Sequence, residues 1–239
     1  MELDFKRIFT GFFIIFIIIT FYIISIDFIL LLLICSLSLL DLFKSKIINY
    51  KFFLFVTALL IFSFLITSIF QFQDLFLLTS FWFLIFFSIF LRKGKNIFFC
   101  ASLIIFLYFF IKTGFLNRDI FYFIIFISFL NDTIAYIFGK LLKGPLILPL
   151  LSPKKTWSGT FFSTLISSML IYYFGYNLIF AFIISASFFF GDIFFSFIKR
   201  INKIKDFSNL LPGHGGILDR IDSMFFPTIF FFVYNIFLL

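Results

Sequence analysis

Between Ser196 and Asp222 the chain reads SFIKRINKIKDFSNLLPGHGGILDRID. This stretch holds Lys199, Arg200, Lys203, Lys205, Asp206, Asp219, Arg220 and Asp222. It also holds the only histidine, His214, with Gly213, Gly215 and Gly216 around it. Two further acids interrupt apolar runs upstream: Asp132 in LNDTIAY and Asp192 in FFGDIFFSFIKR. An acid inside a membrane span costs about 2.5–3.5 kcal/mol at the centre, so such residues mark function by default. Carboxylates beside Lys and Arg suit Mg²⁺, which takes a few protein oxygens and completes its shell with phosphates and water. Two such ions can clamp the attacking and leaving oxygens of a phosphoryl displacement, and the basic residues neutralise the remaining charge.

Spacing supports this chemistry. On helices, Asp192, Ser196 and Lys199 share one face, as do Asp219 with Asp222 and Asp132 with Tyr136. Four carboxylates from three helices therefore converge at one depth. PGHGGILDR adds a glycine-rich turn feeding a helix start, where free N–H groups favour anions. A lone histidine cannot build a zinc site. Between glycines, His214 contacts a phosphate or a base, or orients a carboxylate. LSPKKTWSG brings Lys154, Lys155 and Thr156 near the same surface, although a basic loop can also serve only to set topology. Ion pairing in a buried interface is the plain alternative for the acids, strongest for Asp132 alone. No GxxxxGK[ST] segment occurs, which excludes a P-loop NTPase.

The elements that must carry these residues are membrane helices. Of 239 residues, 63% are hydrophobic and only 13% charged, more apolar surface than a soluble domain of this length can bury. The expected fold is all-α, a polytopic integral membrane protein. A span needs about 20 apolar residues, and polar punctuation gives about nine of them, at 8–25, 28–43, 52–70, 74–91, 96–111, 120–138, 159–175, 179–198 and 219–238. With this cut, every Lys and Arg except Lys112 and Arg118 falls on one side. The positive-inside rule makes that side cytoplasmic and puts the N-terminus there. The first run is too long for a signal sequence and is read as a span. The net charge of +8 then belongs to topogenic loops near anionic lipid rather than to nucleic-acid binding. Residues 1–119 form the hydrophobic N-terminal part and 120–239 the catalytic region of one membrane unit. Cys35 and Cys100 lie in apolar runs and read as small hydrophobes.

The motif Ser196-x-x-Lys199-Arg200-x4-Lys205-Asp206, then Pro212-x-His214-Gly215-Gly216-x-x-Asp219-Arg220-x-Asp222, resembles the signature of the phosphatidate cytidylyltransferases, or CDP-diacylglycerol synthases. Two more stretches are similar to that family: Asp132-x-x-Ala135-Tyr136-x-x-Gly139 and Ser152-Pro153-Lys154-Lys155-Thr156-Trp157. The likeness covers about residues 128–239. One departure stands out: Ser158 occupies the place where the family usually has Glu. The resemblance implies a multi-pass inner-membrane enzyme, known as a homodimer, whose site faces the cytoplasm. It would make CDP-diacylglycerol and pyrophosphate from CTP and phosphatidate, with Mg²⁺. On that reading Asp192 and Asp219 hold the metal, or a metal pair, and Asp222 and Asp132 support them. Lys199, Arg200, Lys205 and Arg220 hold the phosphates, and His214, Gly215 and Gly216 close over them. Ser196 contributes to substrate binding, and Ser152, Lys154, Lys155 and Thr156 form a second wall. The competing readings are a CTP-dependent polyprenol or phytol kinase and, further off, a cation transporter using the intramembrane acids.

Overall fold

A computed structural model describes residues 2–25, 27–47, 95–211 and 215–237. The candidate spans at 52–70 and 74–91, and His214, lie outside the described residues. Among the described residues the chain is mostly helical. Its helices are α1 (Glu2–Ile24), α2 (Asp27–Lys44), α3 (Lys95–Leu116), α4 (Arg118–Leu142), α5 (Trp157–Tyr173), α6 (Leu178–Ile201), α7 (Leu218–Ile221) and α8 (Phe225–Phe237). A two-stranded hairpin, β1 (Leu146–Leu148) and β2 (Ser152–Thr156), separates α4 from α5. Two of the described helices, α4 and α6, are long and apolar enough to cross a membrane.

The helix starts follow from short polar side chains. Asn117 accepts from Ile120 N at 3.2 Å, Thr156 from Gly159 N at 3.2 Å and Asn177 from Ile179 N at 2.9 Å. Each satisfies a first-turn N–H that has no partner within its helix. The hairpin departs from the all-α expectation, and prolines explain it. Pro145, Pro149 and Pro153 cannot continue a helix and tolerate only strand ends and edges. Leu146 pairs with Thr156 and Leu148 with Ser152, antiparallel, around the turn Pro149–Leu151.

The chain divides into two compact units. The first comprises Met1–Lys112 and Asp206–Leu218. Its core includes Leu30, Leu31, Leu42, Phe99, Phe106, Phe207 and Leu218, with the Phe99 and Phe207 rings stacked at 5.6 Å. A carboxylate, Asp41 at the end of α2, is fully buried within it.

The second unit comprises Thr113–Lys205 and Asp219–Leu239. Here α5 packs on α4 and α6, and α8 packs on α6. Small residues set these distances. Gly159 of α5 lies against the Ala135 carbonyl of α4, and Ser163, Ser167 and Ser168 line the buried stripe of α5. Close approach through small residues is how helices pack where apolar burial alone gives no preference. Polar links cross the same interfaces: Ser167 to Asn131 at 3.3 Å and Ser128 to Ser223 at 2.7 Å.

The last span differs from the sequence expectation. It is not one helix from 219 to 238: α7 ends at Ile221, a turn covers Asp222–Met224, and α8 begins at Phe225. The turn is closed by Met224 N donating to Ile221 O at 3.0 Å. Asp219 and Asp222 are therefore brought together by a helix end and a turn rather than by the pitch of one helix.

Candidate active site

The acids and bases singled out above gather in the second unit. Lys199, on the last turn of α6, is 9% exposed and bridges two carboxylates. Its Nζ donates to Asp219 Oδ1 at 2.8 Å and lies 3.6 Å from Asp222 Oδ2. Asp219 and Asp222 are each 8% exposed. Asp192, two turns before Lys199 on α6, pairs with Lys155 of β2, and the Lys155 ammonium lies 5.5 Å from the centre of the Phe189 ring. Asp132 on α4 is exposed and feels the charges of Asp192, Lys155 and Arg220. Asp222 likewise feels Asp192, Lys199, Asp132 and Lys155. Four carboxylates and the ammonium groups of Lys155 and Lys199 thus form one electrostatic group, with Arg220 beside it.

A glycine makes the turn fit. A Cβ on Gly191 would stand 2.6 Å from the Asp222 carbonyl oxygen and 2.8 Å from that of Ser223. Only the smallest residue lets the Asp222–Ser223 turn lie on α6 beside Asp192. Sequence reasoning passed over Gly191; its signal was a Gly-Asp pair inside an otherwise apolar span.

The remaining predicted residues fall in several places. Arg200 is exposed, and its guanidinium reaches the carbonyls of Leu151 and Ile204, each at 3.4 Å. It thereby ties the hairpin turn to the end of α6. Arg220 and Lys205 are exposed, and Ser196 and Ser152 half-buried. Lys154 lies on β2. Thr156 caps α5 and lies 3.3 Å from Ser158 Oγ, so its hydroxyl already serves the fold. Ser158 in turn accepts from Gly144 N at 3.2 Å. In this chain the position where the resemblance leads one to expect Glu joins the end of α4 to the start of α5. Gly215 and Gly216 belong to the first unit. Gly215 has φ +80° and pairs with Leu211, whose N–H donates to its carbonyl at 2.8 Å.

The donor set suits a hard divalent cation, since every acid present offers carboxylate oxygen. Among the described residues no three acids stand close enough to hold one ion by themselves. A magnesium ion held here would take one or two of these carboxylates and complete its shell with waters and substrate phosphates.

The family model described as the cytidylyltransferase family matches residues 5–238. The chain belongs to the cytidylyltransferase family. Among its relatives are proteins named phosphatidate cytidylyltransferase. That of Rickettsia conorii is 40% identical over 124 residues, 45% of this chain and 54% of the relative. That of Rickettsia bellii is 43% identical over 125 residues, with the same shares. That of Helicobacter pylori strain J99 is 37% identical over 108 residues, 41% of this chain and 40% of the relative. The chain spans about half the length of the curated relatives it matches.

Proposed function

We propose that the chain transfers the cytidylyl group of CTP to phosphatidate, giving CDP-diacylglycerol and pyrophosphate for phospholipid synthesis. One observation carries the reading: in a member of the cytidylyltransferase family, a buried lysine bridges Asp219 and Asp222 within electrostatic reach of Asp192. That is a store of paired charge able to exchange partners with phosphates. A lipid phosphate oxygen attacks the α-phosphorus of CTP, a new P–O bond forms, and the bond to the β-phosphate bridging oxygen breaks as pyrophosphate leaves. The phosphate dianion is already nucleophilic, so no strong general base is required. Positioning and charge neutralisation supply the acceleration.

Asp192 and Asp219 would hold Mg²⁺, or a pair of such ions, with Asp222 and Asp132 in support. Held there, the metal supplies Lewis-acid neutralisation of phosphate charge. Lys199 and Lys155 keep the acids compensated before substrate arrives. They then turn, with Arg200, Lys205 and Arg220, toward the triphosphate and the lipid phosphate. His214, Gly215 and Gly216 close on these groups, while Ser152, Lys154, Thr156 and Ser196 contact substrate from the side of β2 and α6. Residues 120–239 are the catalytic region of a homodimeric, multi-pass protein of the inner membrane, with about nine spans, the N-terminus in the cytoplasm and the site on the cytoplasmic face. The distribution of Lys and Arg supports that orientation.

The test is protein in detergent with labelled CTP, phosphatidate and Mg²⁺. CDP-diacylglycerol with stoichiometric pyrophosphate is expected. Release of CDP with a phosphorylated lipid would mean a kinase, and no nucleotide-lipid product under any divalent metal would refute the proposal.

A further inference from the structure

Asp41 has no place in the reaction just described, yet it is the most completely buried acid among the described residues. It lies at the end of α2, in the half of the chain that carries no motif. Both of its carboxylate oxygens are engaged. Ser208 donates its hydroxyl to Oδ1, and the backbone N–H of Leu218 donates to Oδ2 at 2.8 Å. A Cβ on Gly216 would collide with this carboxylate. Ser208 Oγ also accepts from Leu210 N at 3.2 Å, and Leu211 N donates to Gly215 O at 2.8 Å. One carboxylate thus fastens the backbone on both flanks of the glycine segment, and the fastening at Leu218 is one residue before Asp219.

We propose that Asp41 is a positioning residue, which fixes the backbone of Gly215–Leu218 and so the point from which Asp219 departs. The role in catalysis rests on the function proposed above; the fastening itself does not. A buried carboxylate accepting from a backbone N–H is a strong, directional tie. Asparagine at the same place keeps the shape but turns an NH₂ toward one of two donors, which leaves that donor unpaired.

The experiment compares Asp41→Asn, Ser208→Ala and Gly216→Ala with wild type in detergent. It reads hydrogen exchange by peptide and steady-state kinetics with CTP and phosphatidate. Asp41→Asn is expected to speed exchange in the peptide covering Gly215–Leu218 at least tenfold. Peptides from Arg118–Leu142 and Leu178–Ile201 should stay unchanged, and kcat should fall at least tenfold with KM for phosphatidate within twofold. Gly216→Ala should act in the same direction, because its methyl group displaces the carboxylate, and Ser208→Ala should have a smaller effect. Unchanged exchange at Gly215–Leu218, or exchange raised equally in the other peptides, overturns the fastening. Faster exchange with kcat intact overturns the positioning role. Should the wild type make no CDP-lipid, the reaction reading falls, while the exchange measurement still decides whether Asp41 holds the segment.

Discussion

Replacing Lys199 by Met probes the centre of the proposed site. The ammonium stands 2.8 Å from Asp219 and 3.6 Å from Asp222. At an effective dielectric of about 20 these separations correspond to attractions of about 6 and 5 kcal/mol before any desolvation is counted. Burying three charges costs several kcal/mol each and removes most of that gain. The intact triad is therefore near neutral for stability, whereas removing its cation alone strands two buried carboxylates. Loss of one partner from a buried ion pair costs about 3–5 kcal/mol, and that is the destabilisation expected for Lys199→Met. The triple variant Lys199→Met, Asp219→Asn, Asp222→Asn removes every charge and should recover most of this loss. Its cytidylyl transfer should stay absent. Unfolding in detergent, followed by chemical denaturation and by thermal shift, measures both. A Lys199→Met protein as stable as wild type, or a triple variant less stable than the single one, would refute the reasoning that these charges compensate one another in a dry site.

Asp219→Asn should lower cytidylyl transfer at least a hundredfold, the order expected when charge stabilisation in the transition state is removed; labelled CTP turnover measures it, and an equally active variant would sink the metal assignment. Gly191→Ala should destabilise the second unit by about 1–3 kcal/mol, as overpacking does, and reduce activity with it, because the methyl group meets the Asp222 and Ser223 carbonyls. Thr156→Ala should cost about 1 kcal/mol, the usual value of a lost N-cap, with Thr156→Ser close to wild type. As Thr156 is also a proposed substrate contact, Thr156→Ala should lose kcat beyond what that cost explains, and an unchanged kcat would leave Thr156 the helix cap alone. Arg200→Ala should raise KM for CTP or phosphatidate more than it lowers stability, since the side chain is exposed and its bonds to Leu151 and Ile204 are long.

Much of this arrangement was legible in the residues because its parts are expensive. An acid in an apolar run stands out by its cost, so Asp132, Asp192, Asp219 and Asp222 could be read directly. Helical periodicity then placed Asp192 with Lys199. The hairpin was less legible: LSPKKTWSG shows its proline and lysines, but a three-residue strand leaves no periodicity. The break after Ile221 had a local signal that the apolar run masked: Pro227 cannot sit inside a continuous helix but fits the first turn of α8, and Gly191 leaves space for the turn before it. Asp41 escaped because its partners, Ser208 and Leu218, lie far along the chain, and a single acid after an apolar run looks like an ordinary helix end. Thr156 carries a structural role that the motif did not advertise, since its hydroxyl caps a helix.

One cluster of aromatic rings gathers around Tyr176, just before the start of α6. Phe123, near the start of α4, Phe180, near the start of α6, and Phe231 and Tyr234, toward the end of α8, meet around Tyr176. Asp192 lies twelve residues from Phe180, about 18 Å along the helix at 1.5 Å per residue. Rings also join α6 to α8 beside the acids, where Phe194 and Phe195 pack on Phe225, while the ion pairs there join α6 to β2 and to α7. α6 and α8 are thus held by rings at both ends, and the ion pairs beside the acids are the contacts whose partners a phosphate can replace.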